Sequence, residues 1–144
     1  MADDASRDAR VAPPAPPAER AGGHETILLV EDDQNLRTVV ARMLERFGFT
    51  VLTATNGRQA LAICDTHAKT IDLLITDVIM PELGGPELVE HLAERGVFLR
   101  VLYMSGYSDQ ALLRRIAFSP TTQLLRKPFT LDALLKAVRE ILDG

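Results

Sequence analysis

Five polar side chains in this 144-residue sequence stand just past apolar runs: Glu31 and Asp32 after Ile27 to Val30, Asp77 after Ile71 to Thr76, Ser105 after Leu99 to Met104, and Lys127 after Gln123 to Leu125. If those runs are strands of one sheet, carboxylates, a hydroxyl and an ammonium converge on one edge. Clustered carboxylates repel one another, and either raised pKa values or a cation relieves the conflict. A hard, oxygen-seeking ion such as Mg2+ suits the set, because it uses only one or two carboxylates and takes up phosphate oxygens besides. A carboxylate beside such an ion is a nucleophile towards phosphorus, while a lysine and a hydroxyl nearby neutralise and hydrogen-bond phosphoryl oxygens.

Positioning these groups requires a particular scaffold. The runs Ile27–Val30, Thr50–Thr53, Ile71–Thr76, Leu99–Met104 and Gln123–Leu125 have strand length. The first, third and fourth are too continuously apolar for a sheet with one wet face. Between them lie amphipathic stretches: Leu36, Val39, Val40, Met43, Leu44 and Phe47 share one helical stripe, as do Leu131, Leu134, Leu135, Val138, Ile141 and Leu142. Further helices are expected to begin near Gly57, Pro86 and Ser108. The alternation predicts an α/β fold, a five-stranded parallel sheet with helices on both faces, joined by right-handed crossovers. Such sheets bind ligands beyond the carboxyl ends of the strands, where the strand order reverses.

Composition narrows the function classes. Residues 1–24 hold Pro13, Pro14, Pro16 and Pro17, half of the eight prolines, among alanines and mixed charges, and read as a disordered linker. Residues 25–144 suit a single domain. With 16 basic and 20 acidic residues, net charge −4, no strong field draws the chain to nucleic acid or anionic lipid, so neither is expected as a direct partner. No apolar run approaches the ~20 residues of a membrane span, and no signal peptide is visible; a cytoplasmic protein is expected. The single cysteine, Cys64, reads as a small buried hydrophobe. His24, His67 and His91 have no spacing suited to metal ligation or phosphotransfer.

The segments Ile27 to Asp33 (ILLVEDD), Thr76 to Gly85 (TDVIMPELGG), Met104 to Ser108 (MSGYS) and Lys127 to Thr130 (KPFT) resemble the four signature regions of response-regulator receiver domains. Order and spacing match over roughly Thr26 to Leu142, and the resemblance implies the flavodoxin-like fold of receiver type. It implies Asp77 as phosphoacceptor, followed by the loop of Met80, Pro81 and Gly85. It also implies a metal site for Mg2+, or alternatively Mn2+, with Asp32 and Asp77 as direct ligands, the Ile79 backbone carbonyl as a third and Glu31 acting through water. Ser105 and Lys127 take the positions that contact the phosphoryl group, and the Lys127–Pro128 bond is expected to be cis. The implied partners are a histidine kinase or histidine phosphotransfer protein and a downstream protein target, in a two-component or phosphorelay system. The domain is expected as a monomer or weak dimer, not an enzyme in itself, with autophosphatase activity. The different-class alternative is a phosphorylation-independent interaction module. The context is expected to be a stand-alone regulator or the receiver of a hybrid histidine kinase, whose join the Pro-Ala stretch resembles.

Each residue also has a bland reading. Asp33 is expected to cap the first helix rather than join the site. Asp77 in isolation is a turn former, Ser105 a surface hydroxyl and Lys127 a solvated lysine; the flanking motifs promote them. A metal-dependent phosphatase is disfavoured because Ile79 stands where a second carboxylate is needed, and no glycine-rich phosphate loop follows any strand. Two departures from the family pattern stand out. Leu124 replaces the aromatic residue whose ring usually swings inward, and Ile79 with Tyr107 flanks the acceptor in a way that predicts a persistent aspartyl phosphate.

Overall fold

Alternate residues of a strand face opposite sides of a sheet, and here both sides are apolar. The computed structural model describes residues 23–106 and 109–144. The expected linker up to Gly22, Tyr107 and the expected helix start at Ser108 lie outside the described residues. Strands β1 (Thr26–Val30), β2 (Thr50–Ala54), β3 (Leu73–Asp77), β4 (Arg100–Ser105) and β5 (Thr122–Arg126) form one sheet in the order β2-β1-β3-β4-β5, all pairs parallel. Helices α1 (Gln34–Arg46), α2 (Gly57–His67), α3 (Gly85–Glu94), α4 (Gln110–Leu113) and α5 (Leu131–Asp143) connect and follow them.

One face of the sheet presents Ile27, Leu29, Leu73, Ile75, Leu102 and Met104 to Val40 and Leu44 of α1 and to Leu134, Leu135, Val138 and Ile141 of α5. The other presents Leu28, Val30, Leu74, Val101 and Tyr103 to Ala60 and Cys64 of α2 and to Leu88 and Leu92 of α3. Cys64 is therefore the buried small hydrophobe that the sequence suggests. No helix among the described residues is long and apolar enough to cross a membrane.

Local chemistry sets the helix starts. Asp33, Asn56 and Thr130 accept backbone N–H bonds from Leu36, Gln59 and Ala133. At α3 the Glu87 carboxylate reaches back to Gly84 N, 2.9 Å away, with Pro86 in the first turn. The expected run from Ile71 begins as a strand only at Leu73, because Asp72 turns aside: its Oδ2 accepts from Thr26 N and its own N–H donates to Thr26 O, both at 2.8 Å. The helix expected near Ser108 is a single four-residue turn, α4. Beyond it the chain must fold back into the Ser119–Thr122 bridge that opens β5, and Leu112, Leu113 and Ile116 pack against the sheet on the way.

The strand order reverses beside β1, which leads out to β2 and has β3 on its other flank. Such a switch point opens a crevice at the carboxyl ends of β1 and β3.

Candidate functional site

Glu31 and Asp32 leave β1 into that crevice. Glu31 is 1% exposed, its N–H donating to Ala54 O at 3.1 Å and its carbonyl accepting from Arg37 Nη1 at 2.8 Å. Its Oε2 accepts from Asp33 N at 3.0 Å. Asp32 is exposed, and Asp33 is occupied as the cap of α1, as expected for a residue outside the site.

Asp77 ends β3 opposite Met104 of β4 and is 3% exposed. The loop behind it is tied by Val78 N to Met104 O and by Gly85 N to Val78 O, at 3.0 and 2.9 Å. Gly85 allows this return: a Cβ there would lie 2.4 Å from Asp77 O. Met80 and Leu83 anchor the loop in the core, whereas the Ile79 side chain is 48% exposed. Ser105 ends β4, one residue beyond the partner of Asp77, and its buried Oγ has no hydrogen-bond partner among the described residues. Its carbonyl accepts from Lys127 N at 2.8 Å, fixing the start of the segment after β5, and the Lys127–Pro128 peptide is cis.

Lys127 draws these strands together. Its Nζ donates to Glu31 Oε1 at 3.0 Å and lies 2.6 Å from Asp77 Oδ1 in a close ion pair. Burial, then the Glu31 carboxylate, push the Asp77 pKa up to about 8, against the pull of Lys127. Burial also acts to raise Glu31, but its contacts with Asp77, the Asp33 amide and Lys127 outweigh it and bring the pKa below the ordinary glutamate value. Lys127 is raised, because Asp77 and Glu31 overcome its burial. Of the two buried carboxyls, Asp77 is therefore the one whose negative charge burial and its neighbour disfavour, and the one a further cation would relieve most.

One carboxylate oxygen each from Glu31, Asp32 and Asp77 lies within 4.8 Å of the other two. An all-oxygen set of three carboxylates fits a hard divalent cation. The structure thus brings together Glu31, Asp32, Asp77 and Lys127, with Ser105 at the adjoining strand end. His24, His67 and His91 are exposed and take no part. Sequence reasoning missed Arg37 and Asp109. The first clamps the carbonyl of Glu31, and the second, 6% exposed, accepts from Gly106 N just past Ser105. Asp109 had one faint signal, an acidic residue at the expected start of a helix.

The profile of response regulator receiver domains matches residues 27–139. The sensor kinase CckA of Brucella abortus is 34% identical over 94% of this chain, which spans only 15% of that kinase. The response regulator receiver protein CpdR of the same organism is 31% identical over 81% of this chain and 95% of its own length. Among solved structures, the receiver domain of the hybrid histidine kinase CckA superposes with a TM-score of 0.68 at 34% identity, covering 81% of this chain and 98% of that one. A receiver domain protein from Clostridium thermocellum gives 0.72 at 27% identity over 83% and 94%. By fold and by sequence, the chain belongs to the response regulator receiver domains of two-component signalling.

Proposed function

We propose that the chain accepts a phosphoryl group from a partner's phosphohistidine onto Asp77. The observation that carries this reading is the buried Asp77 carboxyl held against Lys127 beside two further carboxylates. In the transfer, an Asp77 oxygen attacks phosphorus, the N–P bond breaks, and its electron pair stays on the imidazole nitrogen. Lys127 counters charge on the acceptor and then on the phosphoryl oxygens. Ser105 Oγ, buried and without a partner among the described residues, would donate its O–H to one of those oxygens. Asp32, Asp77 and the Ile79 carbonyl, with Glu31 through water, are the residues that would hold Mg2+ or Mn2+. Such an ion, when bound, neutralises the acidic set and the incoming phosphoryl oxygens.

The donor is a histidine kinase or histidine phosphotransfer protein. An apolar groove of about 490 Å3 supports this, lined by Leu36, Val39, Met43 and Phe129 and bounded by Lys127 itself. A donor helix with one apolar face fits it, beside the lysine that meets the phosphoryl group. Similarity to CckA and to CpdR supports two contexts, a hybrid kinase and a free-standing regulator. The intact acceptor, acidic pair, hydroxyl and lysine speak against a phosphorylation-independent module.

Ile79 offers no group to orient a hydrolytic water, so the aspartyl phosphate should persist. Replacing it, Ile79→Asn, should hasten decay; equal or slower decay in the variant contradicts that. For the function itself, an autophosphorylated histidine kinase should label wild type and leave Asp77→Ala unlabelled, and equal labelling of both rejects the reading.

A further inference from the structure

The segment after β4 contains a third buried carboxylate, one that the phosphoacceptor chemistry does not use. Asp109 is 6% exposed, and its Oδ2 accepts a 2.9 Å hydrogen bond from Gly106 N. Gly106 directly follows Ser105, whose carbonyl is held by Lys127 N at 2.8 Å while its Oγ has no partner. The backbone carrying that hydroxyl is therefore pinned from both sides, by the chain after β5 and by a carboxylate at the start of α4.

Gly106 is not demanded by the shape it adopts. A Cβ there would meet nothing within 4 Å among the described residues, and its φ lies outside the left-handed region. Gly85, by contrast, is fixed by the 2.4 Å approach of Asp77 O. What glycine adds at position 106 is freedom to move.

We propose that Asp109 is a positioning residue for Ser105. Its carboxylate holds the Gly106 amide in the resting arrangement, and capture of a phosphoryl oxygen by Ser105 draws that amide away, with Gly106 as the hinge. This rests on the reading of Asp77 as phosphoacceptor. The carboxylate stands at the head of α4, so its release passes the event to a helix of one turn without an aromatic ring at Leu124.

Titration of the full chain with beryllofluoride and Mg2+, a phosphoryl analogue for an aspartate carboxylate, tests the proposal. Asp109→Ala should bind roughly tenfold more tightly than wild type, since a hydrogen bond to a charged group no longer holds the resting state. Asp109→Asn, which keeps an acceptor oxygen, should return towards wild type, and Gly106→Ala should bind more weakly. The Gly106 amide resonance should move on binding in wild type and start near its bound position in Asp109→Ala. Unchanged or weaker binding by a folded Asp109→Ala overturns the proposal. If that variant does not fold, an unmoved Gly106 amide in wild type with unchanged affinity in Gly106→Ala overturns it instead. Absent binding by wild type, or equal binding by Asp77→Ala, brings down the phosphoacceptor reading and this proposal with it.

Discussion

Around the ends of β1 and β3 the polar groups are held: Glu31 gives one oxygen to Lys127 and the other to the Asp33 amide, and Asp77 lies against the same ammonium. Past the end of β4 the construction is looser. Ser105 Oγ is unpartnered, α4 makes a single turn, and Thr122, Gln123 and Leu124 of β5 are only half-buried. On the phosphoacceptor reading, the first region would meet the charge that develops at phosphorus with groups already in place, where fixed charges are most effective. The second is tied through backbone atoms, Lys127 N donating to Ser105 O and Gly106 N to Asp109 Oδ2, and its one-turn helix is the element a modest change in free energy would move. On that reading, chemistry and transmission would fall to neighbouring regions that are held differently.

Substitutions should separate the two. Lys127→Ala strips the counter-charge from Glu31 and Asp77, and phosphotransfer should slow about a hundredfold. The fold should lose about 1–3 kcal/mol, less than for a fully buried pair because the lysine is 30% exposed. Stopped-flow labelling and denaturant unfolding measure the two; an unaffected rate would remove Lys127 from the chemistry.

The second contrast lies in pH. Between the ordinary aspartate value of 3.8 and about 8, the folded metal-free chain should favour the protonated form of Asp77 more than the unfolded chain does. The unfolded state binds fewer protons there, so stability falls as pH rises through that window. Glu31, with its lowered pKa, acts in the opposite sense and only on acidification towards and below its ordinary value of 4.5. Melting curves should show the slope in wild type and not in Asp77→Asn. Mg2+ should raise the melting temperature more at pH 8.5 than at 5.5, and equal shifts would count against Asp77 as a ligand.

Ser105→Ala should do the reverse of a structural mutation. Removing a buried hydroxyl without a partner should change stability by no more than about 0.5 kcal/mol, while beryllofluoride affinity drops about tenfold. A large loss of stability would mean that the hydroxyl is structural. The smallest effect belongs to Leu124, paired with Tyr103 in the register of β4 and β5. Activation without a swinging ring should shift resonances near Ser105 and α4, and large shifts throughout β4 and β5 would contradict it.

The same contrast governs how much was legible in the sequence. β1, β3 and β4 are continuous apolar runs because both faces of the sheet are covered, and the residues just past them had to lie at one edge. Asp33 was readable as a cap from its place before an amphipathic stripe. The extent of α4 was not, because Leu112, Leu113 and Ile116 fit a longer helix as well as the turn that β5 requires. Arg37 and Asp109 were hidden for another reason: both act on backbone atoms, the Glu31 carbonyl and the Gly106 amide, whose positions exist only once the strands are assembled.

The central claim, that Asp77 carries the phosphoryl group, is tested most directly by reducing the phosphorylated protein with borohydride, which converts an aspartyl phosphate to homoserine, and locating the product by peptide mass spectrometry. Homoserine at position 77 alone, dependent on Mg2+ during labelling, is the predicted result. Homoserine at another aspartate, or none in protein that has taken up phosphate, would contradict it.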